Sequence, residues 1–155
     1  DLQVGNPPWY RPEFKADLVL ADHDPWWQLS SNRSGPDGRR RRNDLLRQAS
    51  VCQALIEEGA IVAVNQRFLS STVAYPFAEG MRPDTYMNFM HSVWIHSKPY
   101  GVQSLIHLET HFNDQSALSL RSEAYLRLRR HWEFVNELRL FEIQNQKHYG
   151  VNVYG

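Results

Sequence analysis

Cysteine is all but missing: Cys52 stands alone among 155 residues. An intramolecular disulfide and a cysteine-built zinc site are therefore excluded. Net charge is missing too, with 17 basic and 17 acidic side chains. Nothing in the overall balance advertises nucleic acid, so any such contact has to come from local clusters. No long apolar run and no signal-peptide pattern is present, which leads to the expectation of a soluble, cytoplasmic protein with no membrane partner. No nucleophile-elbow Gly-x-Ser-x-Gly occurs, so a hydrolase reading has little to stand on although Ser, His and Asp are all present. No internal repeat is visible. A Gly-rich phosphate turn behind a strand is also lacking. Gly35-Pro36-Asp37-Gly38 follows no strand and runs into arginines.

What is there is one domain's length of chain, with an ordinary apolar content of 42%. Its first residue is Asp1, in what reads as a strand, so the expectation is a piece of a longer polypeptide. Leu2 and Val4 alternate as in a short strand, which runs into Gly5-Asn6-Pro7-Pro8-Trp9. Two prolines hold the backbone rigid and donate no hydrogen bond. An amide oxygen and a backbone carbonyl can accept the two N–H groups of a planar aromatic amine, and an indole can stack on its face. The bland alternative is a rigid surface turn.

The remaining chain reads as alternating elements. Tyr10 to about Gly38 is irregular, with a short helix near Phe14 to Leu20. Arg39-Arg40-Arg41-Arg42 precedes a helix capped by Asn43, with Asp44 in its first turn. Leu45, Leu46, Ala49, Cys52, Leu55 and Ile56 share its apolar face, and Gly59 stops it. Ile61 to Val64 reads as a strand or a buried connector, and Phe68 to Gly80 as a mixed loop. A second helix is expected from about Asp84 to Ser97, ended by Lys98-Pro99-Tyr100-Gly101 and followed by a strand over Val102 to Leu108. Together these make half of a βαβ crossover. A further helix opens at Asn113-Asp114-Gln115 and ends near Arg130. Trp132 to Phe141 and His148 to Tyr154 alternate as an antiparallel pair of strands.

Asn6-Pro7-Pro8-Trp9 resembles motif IV of adenine-N6 DNA methyltransferases, the Asn/Asp-Pro-Pro-aromatic signature. The likeness extends to the helix, Lys98-Pro99-Tyr100-Gly101 turn and strand of the gamma-type enzymes. Tyr125 to Leu138 and Tyr149 to Gly155 are similar to the tail of the catalytic domain of large adenine methylases, found in type IIG restriction-modification and phage-defence systems. The sequence departs at Glu109-Thr110-His111-Phe112, where the family commonly has a Pro-Ser or similar segment. Residues 10–82 match weakly and look like a family-specific insertion.

The resemblance implies an α/β fold over residues 1–155: the second half of a class I, Rossmann-like methyltransferase sheet. Its parallel strands would close with an antiparallel C-terminal hairpin, with a long insertion after the first strand. It implies transfer of a methyl group from S-adenosyl-L-methionine to adenine in DNA. Asn6 and Pro7 become the catalytic pair, and Pro8 and Trp9 substrate-binding residues for a flipped adenine in double-stranded DNA. S-adenosyl-L-methionine would be bound mainly by the rest of the parent polypeptide, so no cofactor residue is assigned and the chain alone is expected to be inactive. Arg39, Arg40, Arg41 and Arg42 are candidate phosphate contacts, or else a solvated stretch before a helix. Trp26-Trp27 reads more readily as a hydrophobic plug than as part of a base pocket, and Arg127, Arg129 and Arg130 as surface charges. His107, Glu109 and His111 lack the spacing of the zinc helix motif. They read as plain polar residues, as does Asp22-His23-Asp24, and no metal is expected. Two other readings stay open: a non-catalytic DNA-binding or assembly module with a degenerate half-fold, and an RNA or protein N-methyltransferase. A strand with a Gly-rich turn upstream would favour the enzyme over the module.

Overall fold

Strand β1 (Leu2–Gly5) is followed by four helices, α1 (Ala16–Ala21), α2 (Trp26–Leu29), α3 (Pro36–Leu45) and α4 (Ala49–Leu69). Then come α5 (Thr85–Ile95), β2 (Val102–Leu108), the short α6 (Thr110–Asn113), α7 (Leu118–Arg127), β3 (Leu128–Val135) and β4 (His148–Tyr154). This computed structural model describes all of residues 1–155. It divides into two compact units, one made of Asp1–Arg11 with Gln66–Gly155 and the other of Pro12–Asn65. No helix is long and apolar enough to cross a membrane.

The first unit is α/β and holds a four-stranded open sheet in the order β1-β2-β4-β3. β1 pairs with β2 in parallel, Leu2 opposite Val102 and Gly5 opposite Leu105. β4 runs antiparallel to both of its neighbours, so the last strand of the chain lies between β2 and β3. A parallel pair needs a crossover, and α5 belongs to it. Tyr86, Met87, Met90 and Trp94 of α5 are buried, and they join Leu105, Leu120, Ala124 and Tyr154 in one core. A buried Met or Leu side chain among them contributes roughly 1.5–3 kcal/mol by leaving water. Strand alternation turns Gln103, Leu105 and His107, all buried, toward this core. The opposite face is bare on the two edge strands, where Leu2, Val4, Trp132 and Phe134 are exposed.

The expected strands at Leu2, Val102 to Leu108 and His148 to Tyr154 are present, as is the helix behind Asp84. The strand expected from Trp132 to Phe141 lies instead at Leu128–Val135, and α7 ends at Arg127 rather than near Arg130. Pairing with β4 is the reason. It draws Leu128 opposite Tyr154 and Arg130 opposite Val153, with a bulge between them. Asn136 and Arg139, which adopts φ 51, then turn the chain.

The second unit is helical, with Leu20, Trp27, Leu45 and Val51 buried together. Arg39–Arg42 do not precede a helix here. They lie inside α3, which starts at Pro36 behind an extended Gly35. Proline suits a first helical position, and arginine is a good helix former, so the run continues the helix rather than leading into it. Asn43 and Asp44 consequently sit in its last turn and cap nothing. Gly38 is buried, and a Cβ placed on it would come within 1.8 Å of the Arg33 carbonyl oxygen. Only glycine lets the first turn of α3 approach that backbone. Gly59 does not stop its helix: α4 passes through it and through Ile61–Val64 for 21 residues. One glycine costs a helix about 1 kcal/mol, too little to break one of that length.

Candidate functional site

Backbone pairing ends at Gly5, and Asn6-Pro7-Pro8-Trp9 leaves the carboxyl end of β1. Asn6 is exposed, Pro7 buried, Pro8 exposed and Trp9 half-buried. Thr85, the first residue of α5, fastens this segment. Its hydroxyl donates to the Pro8 carbonyl at 2.6 Å and accepts from the Tyr10 N–H at 3.0 Å. Its own N–H donates to the Tyr10 carbonyl at 2.9 Å. Arg11 reaches Asp84 at 3.5 Å. Burial pushes the Asp84 carboxyl up, and the Arg11 guanidinium pulls against that.

Neither the Asn6 amide nor the Pro7 carbonyl has a hydrogen-bond partner within the protein, whereas the carbonyl of Pro8 is taken. Asn6, Pro7 and Pro8 border a groove of about 260 Å³ whose other walls include Phe89, Val93 and Leu105. Its walls are largely apolar, and the exposed Asn6 adds an unengaged amide to them. This is an arrangement that can orient a flat ligand bearing N–H donors.

Trp9 is not part of that groove. Its indole N–H donates to the Ile106 carbonyl at 3.3 Å, and its ring packs against Phe141 at 4.5 Å and Tyr149 at 6.0 Å between centroids. Phe134 stacks on Tyr149 at 5.6 Å between centroids. The sequence reading thus finds Asn6, Pro7 and Pro8 together, while Trp9 belongs to a four-ring aromatic cluster. Phe141 is the residue that reading missed, having been placed at the end of a strand. The available signal was Asn136. Its buried side chain donates to the carbonyls of Phe141 and Ile143 at 3.0 and 3.1 Å and accepts from the Phe141 N–H at 3.1 Å. An asparagine behind an alternating run often folds a loop back in this way.

His107 and His111 lie together, with ring centroids 5.1 Å apart, but Glu109 does not join them, and no three His, Cys, Asp or Glu side chains are grouped so as to hold a metal ion. His107 Nδ1 lies 2.9 Å from the Leu108 carbonyl and Nε2 lies 2.8 Å from the Tyr154 hydroxyl. The carbonyl can only accept, so Nδ1 carries the proton and Tyr154 donates to Nε2. Burial holds His107 neutral, lowering its pKa to about 4. His111 is fully buried, donates its backbone N–H to the Tyr86 hydroxyl at 3.1 Å, and is also pushed well down by burial. Glu109 turns to His131 at 3.1 Å, and burial raises its carboxyl pKa despite that partner. Gly150 makes room for it, since a Cβ there would stand 2.0 Å from Glu109 Oε1.

The four arginines of α3 separate into two kinds. Arg40 pairs with Asp37 at 3.1 Å, and Arg41 pairs with Asp24 at 2.9 Å while its guanidinium covers the Trp26 ring. Arg39 and Arg42 face a cavity instead. No family model matches this chain, and neither a curated protein nor a solved structure matches it.

Proposed function

We propose that this chain is the target-base side of an adenine-N6 DNA methyltransferase, folded as the later half of a class I, Rossmann-like sheet. The observation that carries the reading is the state of the Asn-Pro-Pro segment. At the carboxyl end of a strand that pairs in parallel, the Asn6 amide and the Pro7 carbonyl are unengaged, while Pro8 is fixed by Thr85. Open α/β sheets bind ligands at that end of their strands. The reversed β4, set between β2 and β3, agrees with a parallel sheet closed by an antiparallel hairpin.

The adenine amine is a weak nucleophile because its lone pair is delocalised into the ring. Two fixed acceptors that hold its hydrogens draw the nitrogen toward tetrahedral geometry and free the lone pair for attack. Asn6 and the Pro7 carbonyl supply those acceptors, by positioning and electrostatics rather than by covalent chemistry. A base reaches them only after leaving the duplex, at a cost of a few kcal/mol that stacking on aromatic rings offsets. Trp9 and Phe141 contact each other at 4.5 Å, so no base stacks between them. S-adenosyl-L-methionine supplies the methyl group as a sulfonium. This chain offers no acidic side chain at the Asn6 groove to hold its ribose, so the residues that bind it belong to the rest of the polypeptide. The exposed edge of β1, with Leu2 and Val4 bare, is where a further strand of such a sheet would pair.

The test is methyl incorporation into DNA by the full-length polypeptide with labelled S-adenosyl-L-methionine. Asn6→Ala should lower incorporation into adenine by at least about 100-fold. Its melting temperature should not change, because the side chain is exposed and unbonded. Equal incorporation by both proteins would sink the reading.

A further inference from the structure

A cavity of about 660 Å³ lies in the Pro12–Asn65 unit, and Arg33, Arg39 and Arg42 reach its lining together with Ser30, Ser31 and Ser34. We propose that it is a binding site for the phosphate group of a nucleotide. The first argument is the balance of donors. Three guanidiniums meet three hydroxyls there, and the only carboxylate in the lining is Asp17, 3.5 Å from Arg33. Arg33 is held in place from behind. Its Nε and Nη2 donate to the carbonyls of Ser30 and Gln28 at 3.0 and 3.1 Å, which leaves Nη1 toward Asp17. Arg39 touches only the Ser34 carbonyl, at 3.2 Å, and Arg42 has no acceptor at all.

The second argument is independent of charge. Trp27 also lines the cavity, is only 3% exposed, and its indole N–H is buried without an acceptor. The ring is thus a fixed aromatic part of the wall beside Arg33, Arg39 and Arg42, held by Leu20, Leu45 and Val51 behind it. The third argument is geometric. Gly38 allows the first turn of α3 to close on the Arg33 backbone, which brings Arg33 onto the same cavity as Arg39 and Arg42. The helix start adds its partial positive charge there. The cavity exceeds the size of a bare phosphate and falls in the range of nucleotide-sized pockets. Arg40 and Arg41, engaged with Asp37 and Asp24, take no part. This inference does not rest on the methyl-transfer reading, and a negative result with Asn6→Ala leaves it standing.

Phosphate can come from a DNA backbone or from a free nucleotide, and the experiment separates the two. The whole chain is titrated with a short DNA duplex, with ADP and with inorganic phosphate, in wild-type form and as Arg42→Gln and Arg40→Gln. Arg42→Gln should weaken binding roughly 10-fold, the loss of one charge-assisted contact, and Arg40→Gln by less than about twofold. On the duplex, Arg42→Gln should also lower the salt dependence by about one phosphate contact. Tighter binding of duplex than of ADP assigns the backbone, and the reverse assigns a free nucleotide. At saturation the Trp27 indole N–H resonance, assigned with Trp27→Phe, should move. Equal weakening by the two arginine variants, an unmoved Trp27 resonance, or no binding of any of the three probes would overturn the site.

Discussion

The two units bury their interiors by different means. Around the sheet, the core is built from large side chains, Tyr86, Met87, Met90, Trp94, Leu105 and Tyr154 among them, and it takes in His107 and His111 as neutral groups. In Pro12–Asn65 the core cluster is Leu20, Trp27, Leu45 and Val51, and α4 leaves Ile56, Ile61 and Val64 exposed. What the helical unit lacks in buried area it replaces with backbone fastening. Arg33 spans the carbonyls of Gln28 and Ser30, Arg41 holds Asp24, and Gly38 lets two backbone segments touch. An arginine-rich stretch is therefore not of one kind: some of its guanidiniums hold the chain together and only the remainder is free for a ligand.

Acid should expose the difference most. The pKa values of His107 and His111 are depressed in the folded protein, so the stability they confer is complete above about pH 6.5. It is lost as pH falls toward their folded values, about 4 for His107. Between pH 7 and 5 the loss is about 2 kcal/mol for His107, and His111 adds to it in the same direction. The raised pKa of Glu109 works the other way, since protonation relieves its burial, and it trims this loss. The other unit contains only His23, which is exposed. Hydrogen exchange corrected for intrinsic rates should show β2 and β4 losing protection at pH 5 while α3 keeps it. Equal loss in both would end the distinction. Next in size, Met90→Ala should cost about 3 kcal/mol through lost burial and a residual cavity. Ile56→Ala on the bare side of α4 should stay within about 0.5 kcal/mol. Urea midpoints measure both. Smallest is a pair of glycine changes. Gly38→Ala drives a methyl into a backbone carbonyl and should cost about 2 kcal/mol, seen as faster exchange in α1 and α3. Gly59→Ala meets nothing nearer than the Phe14 ring at 3.9 Å and should stabilise by about 0.5–1 kcal/mol. A destabilising Gly59→Ala would mean that α4 is held by packing invisible in its contacts.

The sheet was readable because alternation in Val102 to Leu108 and His148 to Tyr154 is imposed by a core on one side of each strand. The same rule failed at Trp132 to Phe141, because β3 is an edge strand with little burial to enforce its limits, and its register is set by β4 instead. The helical unit was harder to read. Gly35-Pro36-Asp37-Gly38 has the composition of a turn and the structure of a helix start, since Gly38 is required by a contact with Arg33, which no local pattern encodes. At the candidate site, Asn6 to Pro8 stood out through their own stereochemistry. Phe141 did not, because its placement beside Trp9 depends on Asn136 folding the β3–β4 link. The separation of Arg39 and Arg42 from Arg40 and Arg41 was equally hidden, since it depends on where Asp24 and Asp37 lie.

Thr85 has a mechanical meaning. Because one residue binds the carbonyls of both Pro8 and Tyr10 and the N–H of Tyr10, the segment behind Asn6 and the head of α5 move as one lever. The Asn6 amide is only two residues from that fulcrum. It inherits the stiffness of a helix, though it sits on a loop. Any backbone motion at Pro8 to Tyr10 must therefore swing the start of α5 with it.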